Sequence, residues 1–123
     1  MIELLADMPE GVIGLQVSGR LSGAELKDIR PTFEALVESG QDIRIVEVIG
    51  ADYEGFGPGG LLEDLKLGFG AVYPHRGAFK RIAIVTDADW VRHTLHALAW
   101  LIPGESAVFG LDELGRAAQW AAG

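Results

Sequence analysis

Two short apolar runs constrain the fold of this chain more than any other part of its sequence. Residues 42–49 read Asp-Ile-Arg-Ile-Val-Glu-Val-Ile, and residues 81–85 read Arg-Ile-Ala-Ile-Val. Because apolar residues follow one another instead of alternating with polar ones, each run is typical of a central strand in a parallel sheet that is covered on both faces. Such sheets bind ligands where the chain leaves the carboxyl ends of their strands. We therefore expect function to begin at the glycine-rich loop 50–60.

The remaining segments surround these strands with a regular alternation of strands and helices. Residues 2–6 and 12–18 predict a hairpin, and residues 105–109 predict a last strand. Apolar side chains at helical spacing predict helices that begin near residues 22, 61, 89 and 112. The expected fold is α/β, with a mixed sheet of about five strands, mostly parallel with an antiparallel edge strand, covered by about four helices. The 123 residues are expected to form a single domain, residues 1–123.

Local signals mark the helix boundaries to different degrees. Ser22 and Glu25 have the spacing of a capping box at the start of the first helix. Pro31 lies inside the same helical pattern, so we expect a kink or a break there. Gly68 and Gly70 weaken the second half of the next helix, which we expect to fray or end at this point.

The acidic composition argues against several classes of function. The chain has 18 Asp and Glu against 10 Lys and Arg, a net charge of −8, which disfavours nucleic-acid binding. It has no cysteine, and hence neither a disulfide framework nor a cysteine metal site. We find no signal peptide and no apolar run of the ~18 residues that span a bilayer. We therefore expect a cytoplasmic protein that is not an integral membrane protein.

Four segments along the chain form a recognisable pattern of core and boundary residues. The most specific is Phe-Lys-Arg-Ile-Ala-Ile-Val-Thr-Asp at residues 79–87, with Trp90 shortly after it. The other segments are Gly-Arg-Leu-Ser at 19–22, Ile-Arg-Ile-Val-Glu at 43–47, and Val-Phe at 108–109 followed by an Ala-rich helix with Trp120. Together they resemble the SpoIIAA-like domains, also described as STAS/Sec14-like or CRAL-TRIO-like. The resemblance implies a sheet covered by helices and a non-enzymatic role.

The same resemblance implies two kinds of partner. Domains of the anti-sigma antagonist branch are protein-binding switches, phosphorylated on a Ser or Thr at the start of the helix after the central strand. The corresponding residues 50–66 of this chain contain neither Ser nor Thr. The Sec14-like relatives instead look like binders of lipid or other hydrophobic ligands.

The glycine-rich loop matches a nucleotide-binding motif only in its letters. Residues 55–60 fit G-x-G-x-x-G, but residues 50–54 separate the first glycine from the strand, and Pro58 removes a backbone amide. Nearby acids would repel phosphate. They are Asp52, Glu54, Glu63 and Asp64. The aromatic residues of the loop, Tyr53 and Phe56, either line or cover a pocket or are ordinary core or surface residues.

Polar side chains are expected at the carboxyl ends of the two central strands. Glu47 interrupts an apolar strand and needs a partner, because a lone buried carboxylate is costly. We expect a structural ion pair with Arg81 or Lys80. The alternative role is a general base, for which neither a nucleophile nor a metal set is apparent. Asp87 or Asp89 is the expected cap of the following helix.

His93 and His96 lie one turn apart on the predicted third helix, and Trp100 lies on the same flank. We interpret them as a surface or partner patch, because a metal site would need a third ligand. Neither a metal nor a cofactor is expected.

The sequence therefore supports two functions, and an enzyme is not expected because the required groups are missing. The first is a non-catalytic binding module for a small hydrophobic or amphipathic, lipid-like ligand. The second is a regulatory protein–protein interaction domain of the anti-sigma antagonist type without the phosphorylatable residue, which also forms a homodimer. Its expected interaction residues are His93, His96 and Trp100. The expected ligand-binding residues are Glu47, Tyr53, Phe56, Leu61, Leu65, Phe69, Thr86 and Trp90.

Overall fold

The computed structural model describes the backbone of residues 1–123 and all side chains except those of Phe69 and Ala71. Along this backbone the strands are β1 (Ile2–Leu5), β2 (Val12–Val17), β3 (Arg20–Leu21), β4 (Ile43–Ile49), β5 (Gly55–Phe56), β6 (Phe79–Val85) and β7 (Glu105–Phe109). The α-helices are α1 (Gly23–Glu38), α2 (Gly60–Leu67), α3 (Asp89–Ala97) and α4 (Leu114–Ala122). A π-helical turn over Gly68–Val72 continues α2, and 3-10 turns cover Tyr73–Ala78, Ala99–Leu101 and Leu111–Glu113.

Five strands form one mixed sheet in the order β1-β2-β4-β6-β7. β1 pairs antiparallel with β2, and the other neighbouring strands are parallel. The central strands lie side by side in the same direction, with Ile45 opposite Ile82 and Val48 opposite Val85. The predicted mixed α/β sheet with its antiparallel edge strand is confirmed. A separate ribbon of β3 and β5 was not predicted, since each contributes only two residues.

The two faces of the sheet are covered by different kinds of side chain. Alanines of α4 face small β-branched residues, which lets this helix approach closely. Larger side chains fill the other face, under α1 and α3. On the first face the buried residues are Val12, Val46, Val48, Ala83, Val85, Ala117, Ala118 and Ala121. On the second they are Leu15, Ile43, Ile45, Phe79, Ile82 and Ile84.

Two arginines hold the carboxyl end of α4 against the sheet. Arg44 and Arg81 are neighbours on β4 and β6. Arg44 Nη1 donates to the Ala121 carbonyl at 2.9 Å, and Arg81 Nη1 donates to the Trp120 carbonyl at 2.7 Å. The Arg81 guanidinium also lies over the Trp120 ring, 5.0 Å from its centre. Cations at a helix carboxyl terminus are favourable, so both arginines are committed to the α4 side of the sheet.

The helix signals of the sequence were only partly followed. The capping box of α1 is present, with Glu25 N donating to Ser22 Oγ and Ser22 N donating to Glu25 Oε2. The possible break at Pro31 does not occur, because α1 runs through this residue. Ile29 and Phe33 pack against the sheet on either side of Pro31, and their burial outweighs one lost backbone bond. As expected, the α-helical part of α2 ends just before Gly68.

Candidate functional site

The helix after the glycine-rich loop turns Leu61, Leu62 and Leu65 away from the core and keeps only Leu67 of its leucines buried. A Cβ on Gly60 would collide with the Leu21 carbonyl oxygen, and one on Gly23 would meet the Gly59 carbonyl oxygen. These glycines therefore let α2 approach β3 and α1 along its glycine edge. The residues of α2 that this contact buries are Gly60, Glu63 and Leu67. The loop composition thus serves close packing of backbone.

Glu63 occupies a position where the helical pattern predicts an apolar residue. Its carboxylate lies near two ammonium groups, 3.8 Å from Lys27 Nζ and 3.4 Å from Lys66 Nζ. This pairing offsets the cost of burying the charge. With Glu63 inward, the neighbouring leucines of α2 face solvent.

Exposed apolar side chains cluster around the start of α2. We call Phe56, Leu61, Leu62, Leu65 and Trp90 the apolar face; each is at least 40% exposed. Leu61 and Leu65 lie one turn apart on the same side of the helix. The Trp90 ring stacks on Tyr53, with centres 6.0 Å apart and an interplanar angle of 15°, and so joins α3 to the loop. Of the predicted ligand-binding residues, Tyr53 and Trp90 are thus in contact, Phe56 lies against Gly60 at the start of α2, and Leu61 and Leu65 follow on the next turns of this helix.

Glu47 lies beside this face without the predicted ion-pair partner. It is half-buried between Leu15 of β2 and Ile84 of β6. In the described part of the chain its carboxylate has neither a hydrogen bond nor an ion pair. The expected pair with Arg81 or Lys80 is wrong, because alternation along the strands sends Arg81 to the α4 face. Lys80 lies 3.9 Å from Asp42, near the opposite end of the sheet.

Three acidic groups are grouped at the carboxyl end of β4. Burial raises the pKa of Glu47 to about 7, and the negative charge of Asp64 on α2 adds to this shift. Burial also raises the pKa of Asp64. The pKa of the Tyr53 hydroxyl is raised by burial, and further by the charges of Glu47 and Asp64. The polar groups near the apolar face are thus acids whose pKa values are raised.

Thr86 has contacts that position α3. The side chain is fully buried, and its Oγ1 accepts a hydrogen bond from the amide of Ala88 at 3.2 Å. Its carbonyl oxygen accepts from Arg92 Nε at 3.2 Å and Nη2 at 2.8 Å. Thr86 therefore has no surface for a ligand in this conformation. The side chain of Phe69 lies outside the described residues.

Most residues of the helix α3 are not buried, and a cavity opens beside the helix. Only Val91 is buried among the residues of α3, all of which the structure describes. Between α3 and the edge strand β7 lies a groove of about 490 Å³, which we call the α3–β7 groove. Its polar lining residues are Arg92, His93, His96 and Ser106, and its larger apolar ones are Ile84, Leu95, Ile102 and Val108. Trp100 follows α3 and is 78% exposed.

The histidines thus line a cavity that the sequence did not predict. The missed signal was the β7 edge, whose Ser106 and Val108 share a sheet face with Ile84. Among the side chains described, no three His, Asp or Glu are arranged to hold a metal ion. No helix in the described part of the chain is long and apolar enough to cross a membrane.

Comparison with known proteins places the fold. A family model described as SpoIIAA-like matches residues 12–122. A crystal structure of an uncharacterised protein with a SpoIIAA-like fold from Shewanella loihica PV-4 has a TM-score of 0.74 at 22% identity, covering 98% of this chain and 93% of that one. The phosphorylated form of the Bacillus cell fate determinant SpoIIAA has a TM-score of 0.54 at 12% identity, covering 87% of this chain and 91% of that one. Among curated proteins, none matches the sequence.

Proposed function

Starting from the fact that the chain belongs to the SpoIIAA-like family, we propose that it is a non-catalytic binding module whose apolar face holds a small hydrophobic or amphipathic, lipid-like ligand. The observation that carries the proposal is the outward orientation of Leu61, Leu62 and Leu65, which lie on a helix anchored by its glycine edge. Contiguous exposed apolar surface of this kind marks binding sites more often than chance. Covering a leucine side chain contributes about 1.5–3 kcal/mol.

The neighbouring acids specify the head of the ligand. Glu47 and Asp64 have raised pKa values, and the carboxylate of Glu47 is left without a protein partner in the described part of the chain. An anionic head would be repelled whenever either group ionises. A neutral head that donates a hydrogen bond fits these surroundings better, and the alkyl chain of the ligand would then lie along the leucines.

A non-catalytic role is supported by the same geometry. Burial raises the pKa of the Tyr53 hydroxyl, which makes it a weaker nucleophile at neutral pH. Covalent catalysis needs an activated nucleophile next to a base, and this arrangement is not found among the described side chains.

The test is a titration of the 15N-labelled chain with n-octanol, followed by amide NMR shifts. Saturable shifts in α2, in residues 53–56 and at the Trp90 indole are expected. The L61S/L65S variant should bind at least about tenfold more weakly. Leu4→Ser is the control, because Leu4 is also largely exposed but lies on β1. Equal affinity in L61S/L65S, or no saturable shift, would contradict the proposal.

Protein–protein interaction is the second candidate, favoured by Trp100. An indole that is 78% exposed is typical of a partner contact, since tryptophan is enriched at interaction hot spots. Trp100→Ala should then remove specific partners from a quantitative pull-down, and an unchanged partner list would exclude this residue. Light scattering at rising concentration tests the homodimer, which a constant monomer mass would exclude.

A further inference from the structure

We propose that the α3–β7 groove is a second binding site, separate from the apolar face, and that it takes a small amphipathic anion, a carboxylate with a short alkyl chain. The groove has the volume of a ligand site, since about 490 Å³ falls within the ~300–1,000 Å³ of known pockets. Its position between a helix and an edge strand leaves one side open for the ligand to enter.

The lining of the groove carries a single formal charge, and that charge is positive. Arg92 supplies it, His93 and His96 add ring N–H groups, and none of the lining residues is acidic. The net charge of the whole chain is −8. A guanidinium without an acidic neighbour in the lining is a local attraction for anions within this acidic protein.

Arg92 is placed to bind without losing its structural role. Its Nε and Nη2 donate to the Thr86 carbonyl oxygen, which holds the guanidinium in place. Its Nη1 makes no hydrogen bond within the described part of the chain. Arg92 is also one of the residues that line the groove. A guanidinium fixed by one edge and open at another is pre-organised for a carboxylate.

The apolar lining accounts for the rest of the ligand. Ile84 and Leu95 belong to the core cluster on this sheet face, and Val108 is exposed on the edge strand. An alkyl chain laid over these side chains would remove their remaining apolar surface from water. The head would then lie near the two histidines, which present ring N–H donors.

The experiment compares three probes with the same chain and different heads: octanoate, n-octanol and octyltrimethylammonium, all below their aggregation concentrations. Amide NMR of the labelled chain locates each site. We expect octanoate to shift signals in α3 and β7 and to bind there at least about tenfold more tightly than octyltrimethylammonium. Equal affinities for the three probes at α3 and β7, or no saturable octanoate shift there, would overturn the proposal.

Variants test the contribution of the two histidines. The H93A/H96A variant removes both ring N–H donors and should weaken octanoate binding at least about fivefold. His75→Ala is the matched control, because His75 is exposed in the turn before β6. Octanoate shifts confined to α2 and Trp90 would reject a site in this groove. If instead the wild-type chain binds octanoate in the groove but does not bind octanol at the apolar face, the proposed function is rejected and the groove site stands.

Discussion

The apolar face and the α3–β7 groove lie on either side of the same helix and differ in charge. Trp90 of α3 stacks over the loop near Glu47 and Asp64, whereas Arg92, two residues later, joins His93 and His96 in the groove. Both regions combine apolar surface with polar groups, the first at the carboxyl end of β4 and the second along β7. The comparison teaches that the rotation of each helix decides which polar groups lie beside exposed apolar surface.

The largest expected effect on either region comes from changing Gly60, the glycine that anchors α2. Gly60→Ala would place a Cβ against the Leu21 carbonyl oxygen, so α2 must move or the chain must lose about 3 kcal/mol of unfolding free energy. Urea denaturation measures the loss, and octanol binding should fall while octanoate binding persists in the folded fraction.

Gly68→Ala is the matched control for this change. Gly68 ends α2 with helical φ and ψ, and an added Cβ there meets no atom within 4 Å. The substitution should stabilise the chain by up to about 1 kcal/mol, because alanine favours the helix. A Gly60→Ala variant as stable as wild type would show that α2 is not held by its glycine edge.

The pH dependence of stability tests the acidic groups beside the apolar face. The pKa of Glu47 is raised from 4.5 to about 7, so between these values the folded chain holds a proton that the unfolded chain has released. Stability from this residue is therefore present at pH 4 and falls as the pH rises to about 7. From pH 5 to pH 8, wild type should lose on the order of 2 kcal/mol relative to Glu47→Gln.

Urea denaturation of both proteins at the two pH values measures this difference. Because Gln cannot ionise, the subtraction removes the contributions of the other groups. If the difference in unfolding free energy between the two proteins does not change with pH, the pKa of Glu47 in the folded chain is close to its ordinary value.

Crossing the two sets of binding variants sharpens the comparison. L61S/L65S should weaken octanol binding about tenfold, or about 1.4 kcal/mol, and leave octanoate binding unchanged. H93A/H96A should do the reverse. Since all four residues are exposed, unfolding free energies should stay within about 0.5 kcal/mol of wild type. Loss of both ligands in either variant would mean that the two regions are one site.

The smallest expected effect concerns the residue that connects the regions. Trp90→Ala removes the stacking on Tyr53 and should cost about 1 kcal/mol of stability. Octanol binding should weaken, because Trp90 belongs to the apolar face, and octanoate binding should change less than twofold if the groove is independent. The same NMR titrations provide the measurement.

Parts of the structure that depend on local pattern could be predicted from the sequence. The runs 43–49 and 82–85 are apolar on both faces, and they do lie adjacent and parallel in the middle of the sheet. Ser22 and Glu25 form their capping box, because its atoms are three residues apart. The collection of Tyr53, Phe56 and Trp90 near the ends of these strands also follows from topology.

Other features depend on residues far apart in the chain. The helix α1 continues through Pro31 because the sheet beneath it rewards the packing of its neighbours. Arg81 does not pair with Glu47, since its guanidinium instead donates to the carbonyl oxygen of Trp120 at the carboxyl end of α4, about 40 residues later in the chain. The groove beside His93 exists only because β7 forms the edge of the sheet.

The sequence by itself determined the order of the four α-helices and of the five strands of the main sheet, the two central strands and the acidic balance of the chain, since each follows from composition or from a period of two or 3.6 residues. Only the tertiary structure decided which way α2 faces and which partner each buried charge receives. The physical reason is close packing: the contact of Gly60 with the Leu21 carbonyl sets the rotation of α2, and no local pattern contains that distance.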